Sequence, residues 1–181
     1  MPFQIAVRTS GIADWIRCPV GNWDDWRAMK ARYNADDPSR IDPAAAAAVA
    51  ADGPGRPTFI EYHFSGPFWQ LREWLGFENL CTAFYDDPDL VRDMLDFWCD
   101  YIARLLGRAI ALVKPDSVHL SEDMAYKAHP MIGPAMCREF LLPVWKRWGE
   151  IVRGAGIPFY ACDSDGYIGD LIPLWIEAGI N

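Results

Sequence analysis

Two aspartates at the end of a short apolar run are the residues of this sequence best placed to do chemistry. The run covers residues 157–162, and Asp163 and Asp165 follow it in the turn D-S-D-G. Residues two apart in an extended backbone point to the same side, so both carboxylates can meet one ligand. They could hold a divalent metal, or one could stay protonated and act as a general acid beside an ionised partner. The alternative is that one of them only caps the helix predicted to begin near Ile168.

Polar residues also follow two other strands that the sequence predicts. One strand covers residues 57–64 and ends near His63, and the other covers residues 117–121 and is followed by Glu122 and Asp123. In parallel βα folds the loops after the strands gather on one face, where active sites are built. The alternative for Glu122 and Asp123 is a solvated loop. The predicted catalytic residues on this shared rim are Asp163, Asp165, Glu122 and Asp123.

Imidazole and basic side chains near the same strand ends predict substrate binding. We expect His63, Arg72 and Lys127 in this role, because each lies near a strand entrance or exit. Lys127 could reach an anionic group of a substrate, or it could form a surface salt bridge. His63 has the alternative role of a hydrogen-bonded core histidine. The role of His119, within the second strand, is left open.

Strand and helix patterns alternate along the chain and would position these residues. Apolar residues at three- and four-residue spacing predict the longest helix over residues 88–113, and the pair Asp87-Pro88 is its start signal. Asp42-Pro43 is the start signal of the helix over residues 44–51. Pro143 predicts a kink or break in a later helix. Strand–helix repetition with long crossovers implies a parallel sheet. The predicted helices cover residues 24–33, 44–51, 68–75, 77–85, 88–113, 134–153 and 168–178.

The fold that this pattern predicts is an α/β fold, a partial (β/α)8 TIM barrel with parallel strands and long helical crossovers. A complete barrel needs roughly 200 residues or more and typically about 250, whereas this chain has 181. We expect an irregular N-terminal arm and a capping helix over residues 1–56. Residues 57–181 would form a partial barrel that continues beyond the C-terminus and lacks a unit at the N-terminus. The alternative is a small doubly wound sheet, which the absence of a Gly-rich phosphate loop disfavours.

Composition narrows the classes of partner. The net charge is −8 and the pI is about 4.8, which argues against nucleic acid and anionic membranes. The sequence shows neither a signal-peptide pattern nor an apolar run of membrane-spanning length. The five cysteines include no C-x-x-C motif, which disfavours a disulfide framework or zinc ribbon and favours a reducing cytoplasm. Cys162 has no evident basic partner, so we expect a small buried hydrophobe rather than a nucleophile.

Three stretches of the sequence resemble the uroporphyrinogen decarboxylase superfamily. They are G-P-F-W-Q-L-R-E-W-L-G-F-E-N-L followed by D-D-P-D-L-V, S-E-D-M-A-Y-K followed by P-M-I-G-P and F-L-L-P-V-W-K-R, and D-S-D-G-Y-I-G-D-L-I-P-L-W-I-E-A-G-I-N. No single motif is diagnostic, but their order and spacing over residues 57–181 are fairly specific. The resemblance implies a (β/α)8 barrel of roughly twice this length.

The resemblance also implies one of two chemistries. Decarboxylases of the superfamily remove acetate carboxyls from uroporphyrinogen without a cofactor, using arginines and an aspartate near the first strand, and corresponding residues are not recognisable in this sequence. Methyltransferases of the superfamily move methyl groups between corrinoid proteins and thiols, with a zinc ion held by a His-x-Cys pair and a later Cys. Asp163-Ser164-Asp165 stands in the place of that pair. A zinc–thiolate site is therefore not supported, and a harder metal or none is expected.

The lead expectation is a uroporphyrinogen decarboxylase family enzyme, a carboxy-lyase of porphyrin metabolism. The first alternative is a corrinoid-dependent methyltransferase of the same superfamily, and the second is a non-catalytic binding module derived from the barrel. A decarboxylase would use no cofactor, a methyltransferase would use a corrinoid partner, and a divalent metal, if bound, would be held by Asp163 and Asp165. The expected partner is a small molecule, either a tetrapyrrole or a methyl donor, in the cytoplasm, with no nucleic acid and no membrane. A homodimer is left open.

Overall fold

The computed structural model describes residues 18–51, 53 and 59–181, together with the backbone of two short strands near the N-terminus. These strands, β1 (Ile5–Val7) and β2 (Ala13–Trp15), pair antiparallel. A helix, α1 (Trp23–Lys30), follows them. The arm expected to be irregular thus contains a strand pair that was not predicted. The helix predicted over residues 24–33 is confirmed as α1, which the Asn22 side chain caps.

Helices fill most of the chain between and after the main strands. The start signals act as expected, because the Asp42 carboxylate accepts a hydrogen bond from the Ala44 amide at 2.8 Å and the Asp87 carboxylate accepts one from the Leu90 amide at 3.2 Å. Across 18–51, 53 and 59–181, every helix is either too short or too polar to span a lipid bilayer. In chain order the helices after α1 are α2 (Pro43–Ala51), α3 (Pro67–Leu75), α4 (Phe77–Asp86), α5 (Pro88–Leu112), α6 (Pro134–Met136), α7 (Leu142–Gly154) and α8 (Ile172–Ala178).

Two helical regions have features that bear on the prediction. A π-helical turn, Cys137–Leu141, precedes α7, so the irregularity predicted at Pro143 is confirmed. Proline has no N–H to donate, and a widened turn accommodates the loss of that bond. α8 begins at Ile172, later than predicted, because residues 168–171 first form a turn. Gly179 follows the last residue of α8, and its φ of 92° lies in the left-handed region that glycines at helix C-termini usually adopt.

The main sheet consists of three parallel strands in chain order, β3 (Glu61–Ser65), β4 (Ser117–Ser121) and β5 (Phe159–Asp163). The predicted parallel sheet and the bounds of its second strand are confirmed. β3 lies later than the predicted 57–64, part of which falls outside the described residues. β5 includes Asp163, which the sequence pattern placed in the turn. The molecule is thus an α/β protein with a three-stranded parallel sheet.

One face of the sheet is apolar and carries the helices. The Tyr62 hydroxyl donates to the Ala109 carbonyl of α5 at 3.1 Å, and the Tyr160 hydroxyl donates to the Trp145 carbonyl of α7 at 3.1 Å. Both long crossover helices therefore cover the same face. The strand residues on this face are Tyr62, Phe64, Val118, Leu120, Tyr160 and Cys162.

We call the opposite face the polar face. Its register aligns His63 with His119, and Ser121 with Asp163. Parallel sheets are usually apolar on both faces, so polar residues at alternate positions of neighbouring strands call for an explanation by function. The strand residues on the polar face are Glu61, His63, Ser65, Ser117, His119, Ser121, Phe159, Ala161 and Asp163.

Aromatic residues of the N-terminal arm complete the core on the helical side. Trp26 of α1 is fully buried, and its ring lies 5.0 Å from that of Trp74 in α3 and 5.3 Å from that of Phe97 in α5. The Trp74 indole N–H donates to the Tyr33 hydroxyl at 3.1 Å. Rings in tilted and edge-on contact bury a large apolar area, so the arm helps to hold α3 and α5 behind the sheet.

Candidate functional site

The loops that follow the three parallel strands are joined to one another by hydrogen bonds. The Gly66 amide donates to the Ser121 carbonyl at 2.8 Å, and the Glu122 amide donates to the Asp163 carbonyl at 3.1 Å. Farther out, the Tyr167 amide donates to a carbonyl of the loop after β4 at 2.8 Å. The predicted gathering of the strand ends on a common rim is therefore confirmed.

Glu122 is a buried structural carboxyl at this rim. Its side chain is fully buried and accepts hydrogen bonds from the Trp69 amide at 3.1 Å and from the Trp145 indole N–H at 2.5 Å. Burial raises the pKa of Glu122 from 4.5 to about 8, against the lowering effect of these hydrogen bonds. The carboxyl thus caps the N-terminus of α3 from a neighbouring loop. It is enclosed by the helices and does not reach the polar face.

Gly66 makes room for that buried carboxyl. A Cβ atom at this position would lie 2.2 Å from Cδ of Glu122, far inside van der Waals contact. Gly66 is also the residue before the first turn of α3, which begins with Pro67. The sequence S-G-P therefore serves the close approach of Glu122 to the helix as well as the turn itself.

Asp123 and Arg72 hold the loops together. Asp123 has a φ of 39°, which is rare for a residue other than glycine. Its carbonyl accepts a hydrogen bond from Nη1 of Arg72 at 2.9 Å, and its carboxylate accepts one from the Asp165 amide at 3.1 Å. The Arg72 guanidinium lies 4.3 Å from the centre of the Trp69 ring. Both side chains are thus engaged in loop structure, so their predicted catalytic and substrate-binding roles would require them to act from these positions.

Asp163 lies on the polar face with two histidines. Its Oδ1 atom lies 3.3 Å from Nε2 of His119, and Nδ1 of His119 lies 3.4 Å from Oε1 of Glu61. The rings of His63 and His119 lie 4.8 Å apart with an angle of 30° between their planes. Nε2 of His63 is in hydrogen-bond contact with the Ser121 hydroxyl at 2.7 Å. Carboxylates and imidazoles from three neighbouring strands therefore converge on one patch of the sheet.

The donor atoms of this patch are those that could hold a metal ion. One ring nitrogen from each of His63 and His119 and a carboxylate oxygen of Asp163 all lie within 4.8 Å of one another. Nε2 of His119 is a buried atom that makes no hydrogen bond, although Oδ1 of Asp163 lies 3.3 Å away. Imidazole and carboxylate together are common ligands of first-row divalent metals.

Asp165 and Lys127 do not join this patch. Asp163 ends β5 and keeps the alternation of the strand, whereas Ser164 turns the chain so that its hydroxyl accepts a hydrogen bond from the Met124 amide at 2.9 Å. Asp165 is exposed beyond that turn, and Lys127 is exposed in the loop after β4. The structure thus brings Asp163 together with His63, but it does not pair Asp163 with Asp165 as a common ligand set.

An apolar cavity of about 270 Å³ lies on the other side of the sheet, between α2, β3 and α5. Its lining includes Ile41, Val49 and Tyr62, and its acidic residue, Asp42, already caps α2. A reactive site needs convergent polar groups as well as space. The polar face is therefore the better candidate site.

Sequence reasoning left His119 without a role and did not consider Glu61. A signal for both is present, because β3 reads E-Y-H-F-S and β4 reads S-V-H-L-S, with polar residues at every second position. Cys162, in contrast, packs against the core as predicted, although it is partly rather than fully buried. It lies on the apolar face, where burial raises the pKa of its thiol.

Comparison of the chain with protein-family models gives no match, and no curated protein matches it.

Proposed function

We propose that this chain forms part of a (β/α)8-barrel enzyme of the uroporphyrinogen decarboxylase superfamily, with its active site on the polar face. One observation carries the proposal: β3, β4 and β5 follow one another in chain order, with α5 and α7 on one face and polar residues on the other. A barrel puts all its helices outside and its strands in sequential order. A doubly wound sheet reverses the order and covers both faces.

Of the two chemistries in the superfamily, methyl transfer fits the described residues better. The strand positions of the polar face carry carboxylates and imidazoles, and none of them is Lys or Arg. A substrate with many carboxylates, such as uroporphyrinogen, needs cationic partners. A thiol substrate instead needs a base that takes its proton. Imidazole can do this in the physiological pH range, so His63 and His119 are the proposed bases.

Decarboxylation is the second candidate. Two cationic side chains, Arg72 of α3 and Lys127 of the loop after β4, lie at the same edge of the sheet. Lys127 is exposed and available to a substrate carboxylate, whereas Arg72 is half-buried and donates to the Asp123 carbonyl. These residues support binding of one or two carboxylates rather than of a polycarboxylate.

A paired activity assay tests the proposal. The intact gene product that contains this chain is purified and incubated with methylcobalamin and a small thiol such as 2-mercaptoethanol, and loss of the methylcobalamin absorbance is followed. In parallel it is incubated with uroporphyrinogen, and the porphyrin products are separated by their number of carboxyl groups. We expect demethylation that falls at least about 100-fold in His119→Gln, with Asp165→Asn as the matched control that keeps activity.

Two results would contradict the proposal in different ways. Loss of substrate carboxyls without any demethylation would establish the decarboxylase alternative. If the intact gene product folds and shows neither activity, the result would favour the non-catalytic binding module.

A further inference from the structure

We infer that His63, His119 and Asp163 form a binding site for one borderline divalent cation, of the class of Zn²⁺ or Co²⁺, and that Glu61 orients His119 within it. The site differs from the oxygen-only pair that the sequence suggested, because Asp165 is replaced by two imidazoles from neighbouring strands. The site uses the same histidines as the proposed methyl transfer, so with an ion bound they would act as ligands and the cation, rather than a free imidazole, would favour loss of the thiol proton. Ion binding is measured without any substrate, so a failure of this inference is distinguishable from a failure of the proposed function.

Distances within the cluster suit a shared ion. Ligand atoms about 2.1 Å from a tetrahedral metal lie roughly 3.4 Å from one another. Oδ1 of Asp163 and Nε2 of His119 are 3.3 Å apart, and the ligand atoms of all three residues lie within 4.8 Å. Both His63 and Asp163 are exposed, so we expect rotation of their side chains to close the remaining gap. His63 would keep or exchange its 2.7 Å contact with the Ser121 hydroxyl, depending on which ring nitrogen binds the ion.

A buried nitrogen without a hydrogen bond also points to an ion at this place. Nε2 of His119 is buried and makes no hydrogen bond. Buried polar atoms without a partner are rare, and each calls for an explanation. A cation bound between this nitrogen and Asp163 would supply the missing partner.

Glu61 lies where metal-binding histidines usually have their outer carboxylate. Its Oε1 atom lies 3.4 Å from Nδ1 of His119, the ring nitrogen opposite the proposed ligand atom. A carboxylate in this position fixes the orientation of the imidazole and increases its basicity toward the metal. Glu61, His119 and Asp163 thus lie in the order expected of an outer carboxylate, a ligand imidazole and a second ligand of the same ion.

The sheet supplies the rigidity that such a site needs. His63 and His119 are direct partners in the parallel register of β3 and β4, and Asp163 pairs with Ser121 on the next strand. Ligands on paired strands hold their spacing better than ligands on loops. Because His63 and Asp163 are exposed, the outer side of the ion would remain open to water or to a substrate atom, as in catalytic rather than structural sites.

A simple ion-pair network is the competing explanation, in which a charged His119 bridges Glu61 and Asp163. Such a bridge would rest on two long contacts, 3.4 Å from Nδ1 to Glu61 and 3.3 Å from Nε2 to Asp163, and would leave the buried Nε2 atom without a hydrogen bond. It would also leave the close approach of His63, with ring centres 4.8 Å apart, without a function.

Metal titration of the whole chain tests the inference. After treatment with a chelator, the protein is titrated with Zn²⁺ by calorimetry and with Co²⁺ by visible absorption, and with Mg²⁺ as a hard-cation control. We expect one Zn²⁺ per chain and no comparable binding of Mg²⁺, which prefers oxygen ligands. His63→Gln, His119→Gln and Asp163→Asn should each weaken Zn²⁺ binding by at least about 100-fold, and Glu61→Gln by about 10-fold.

Matched controls separate this site from others. Asp165→Asn should bind Zn²⁺ as the wild type does, and Cys162→Ser should do the same. Circular dichroism confirms that each variant folds, and if a histidine variant does not, ring-nitrogen NMR shifts of His63 and His119 in the wild type report ligation directly. Absence of Zn²⁺ binding to the folded wild type would overturn the inference. So would unchanged binding in His119→Gln, or equal losses in Asp163→Asn and Asp165→Asn.

Discussion

Glu122 and Asp163 are neighbours at the rim of the sheet, but their carboxyl groups have opposite surroundings. Glu122 is fully buried, accepts two hydrogen bonds from tryptophan residues and closes the end of a helix. Asp163 has a side chain that is 54% exposed and lies beside an imidazole nitrogen that makes no hydrogen bond. A carboxyl at the end of a strand can therefore serve the fold or be free for a ligand. The state of its neighbours, more than its position, distinguishes the two roles.

The largest effect that separates these two residues should be on stability. Glu122→Ala removes the cap of α3, leaves the Trp145 indole N–H without a partner and opens a cavity beside Gly66. We expect the free energy of unfolding to fall by roughly 3–5 kcal/mol. Asp163→Ala should change it by less than about 0.5 kcal/mol. Urea denaturation followed by circular dichroism measures both, and equal effects of the two substitutions would remove the distinction.

The pH dependence of stability should sharpen the same contrast. The pKa of Glu122 is raised from 4.5 to about 8 in the folded protein, so between these pH values the folded state holds a proton that the unfolded state releases. The contribution of Glu122 is fully present below pH 4.5 and is lost as pH rises toward 8, in total on the order of a few kcal/mol.

Two variants isolate this contribution. Glu122→Gln keeps an oxygen that can accept hydrogen bonds, but its side chain cannot titrate. The difference in free energy of unfolding between the wild type and Glu122→Gln should therefore change with pH in the way predicted for Glu122. Asp163→Asn should leave the slope as it is in the wild type. Parallel stability curves for wild type and Glu122→Gln from pH 5 to 8 would show that Glu122 is not the titrating group.

A smaller effect is expected at the glycine that faces Glu122. Gly66→Ala places a methyl group 2.2 Å from the Glu122 carboxyl carbon, and such overpacking typically costs about 1–3 kcal/mol. Gly107, in the exposed part of α5, is the matched control, because a Cβ there meets nothing within 4 Å. Gly107→Ala should raise stability by about 0.5–1 kcal/mol through helix propensity. Thermal melting of the two variants would contradict this interpretation if both shifted in the same direction.

Local patterns in the sequence were enough to predict the elements of the fold. Apolar spacing gave the long helix α5, and the capping aspartates gave its start and that of α2. The repetition of strand and helix gave a parallel sheet whose strand ends gather on one rim. These features depend on residues close together in the chain, where propensity and capping act directly.

Local patterns could not predict which of the site residues are buried in the fold and which face the candidate site. The burial of Glu122 depends on Trp145, which comes from a helix many residues later, and on the space left by Gly66. The grouping of His63 with His119 depends on the register of two strands joined by three helices. A shift of one residue at the end of β5 decided the place of Asp163, because neighbouring strand positions point to opposite faces.

The hydrogen bonds between the rim loops have a consequence for how this surface can diverge. The bonds from the Gly66 and Glu122 amides, and from Tyr167 to its neighbouring loop, run between main-chain atoms. Such bonds survive a change of side chain. Exposed positions such as Tyr126 and Asp165 can therefore be replaced while the strand ends keep their spacing. Point mutations at the rim can therefore change which ligand it binds while the main-chain hydrogen bonds between its loops stay in place.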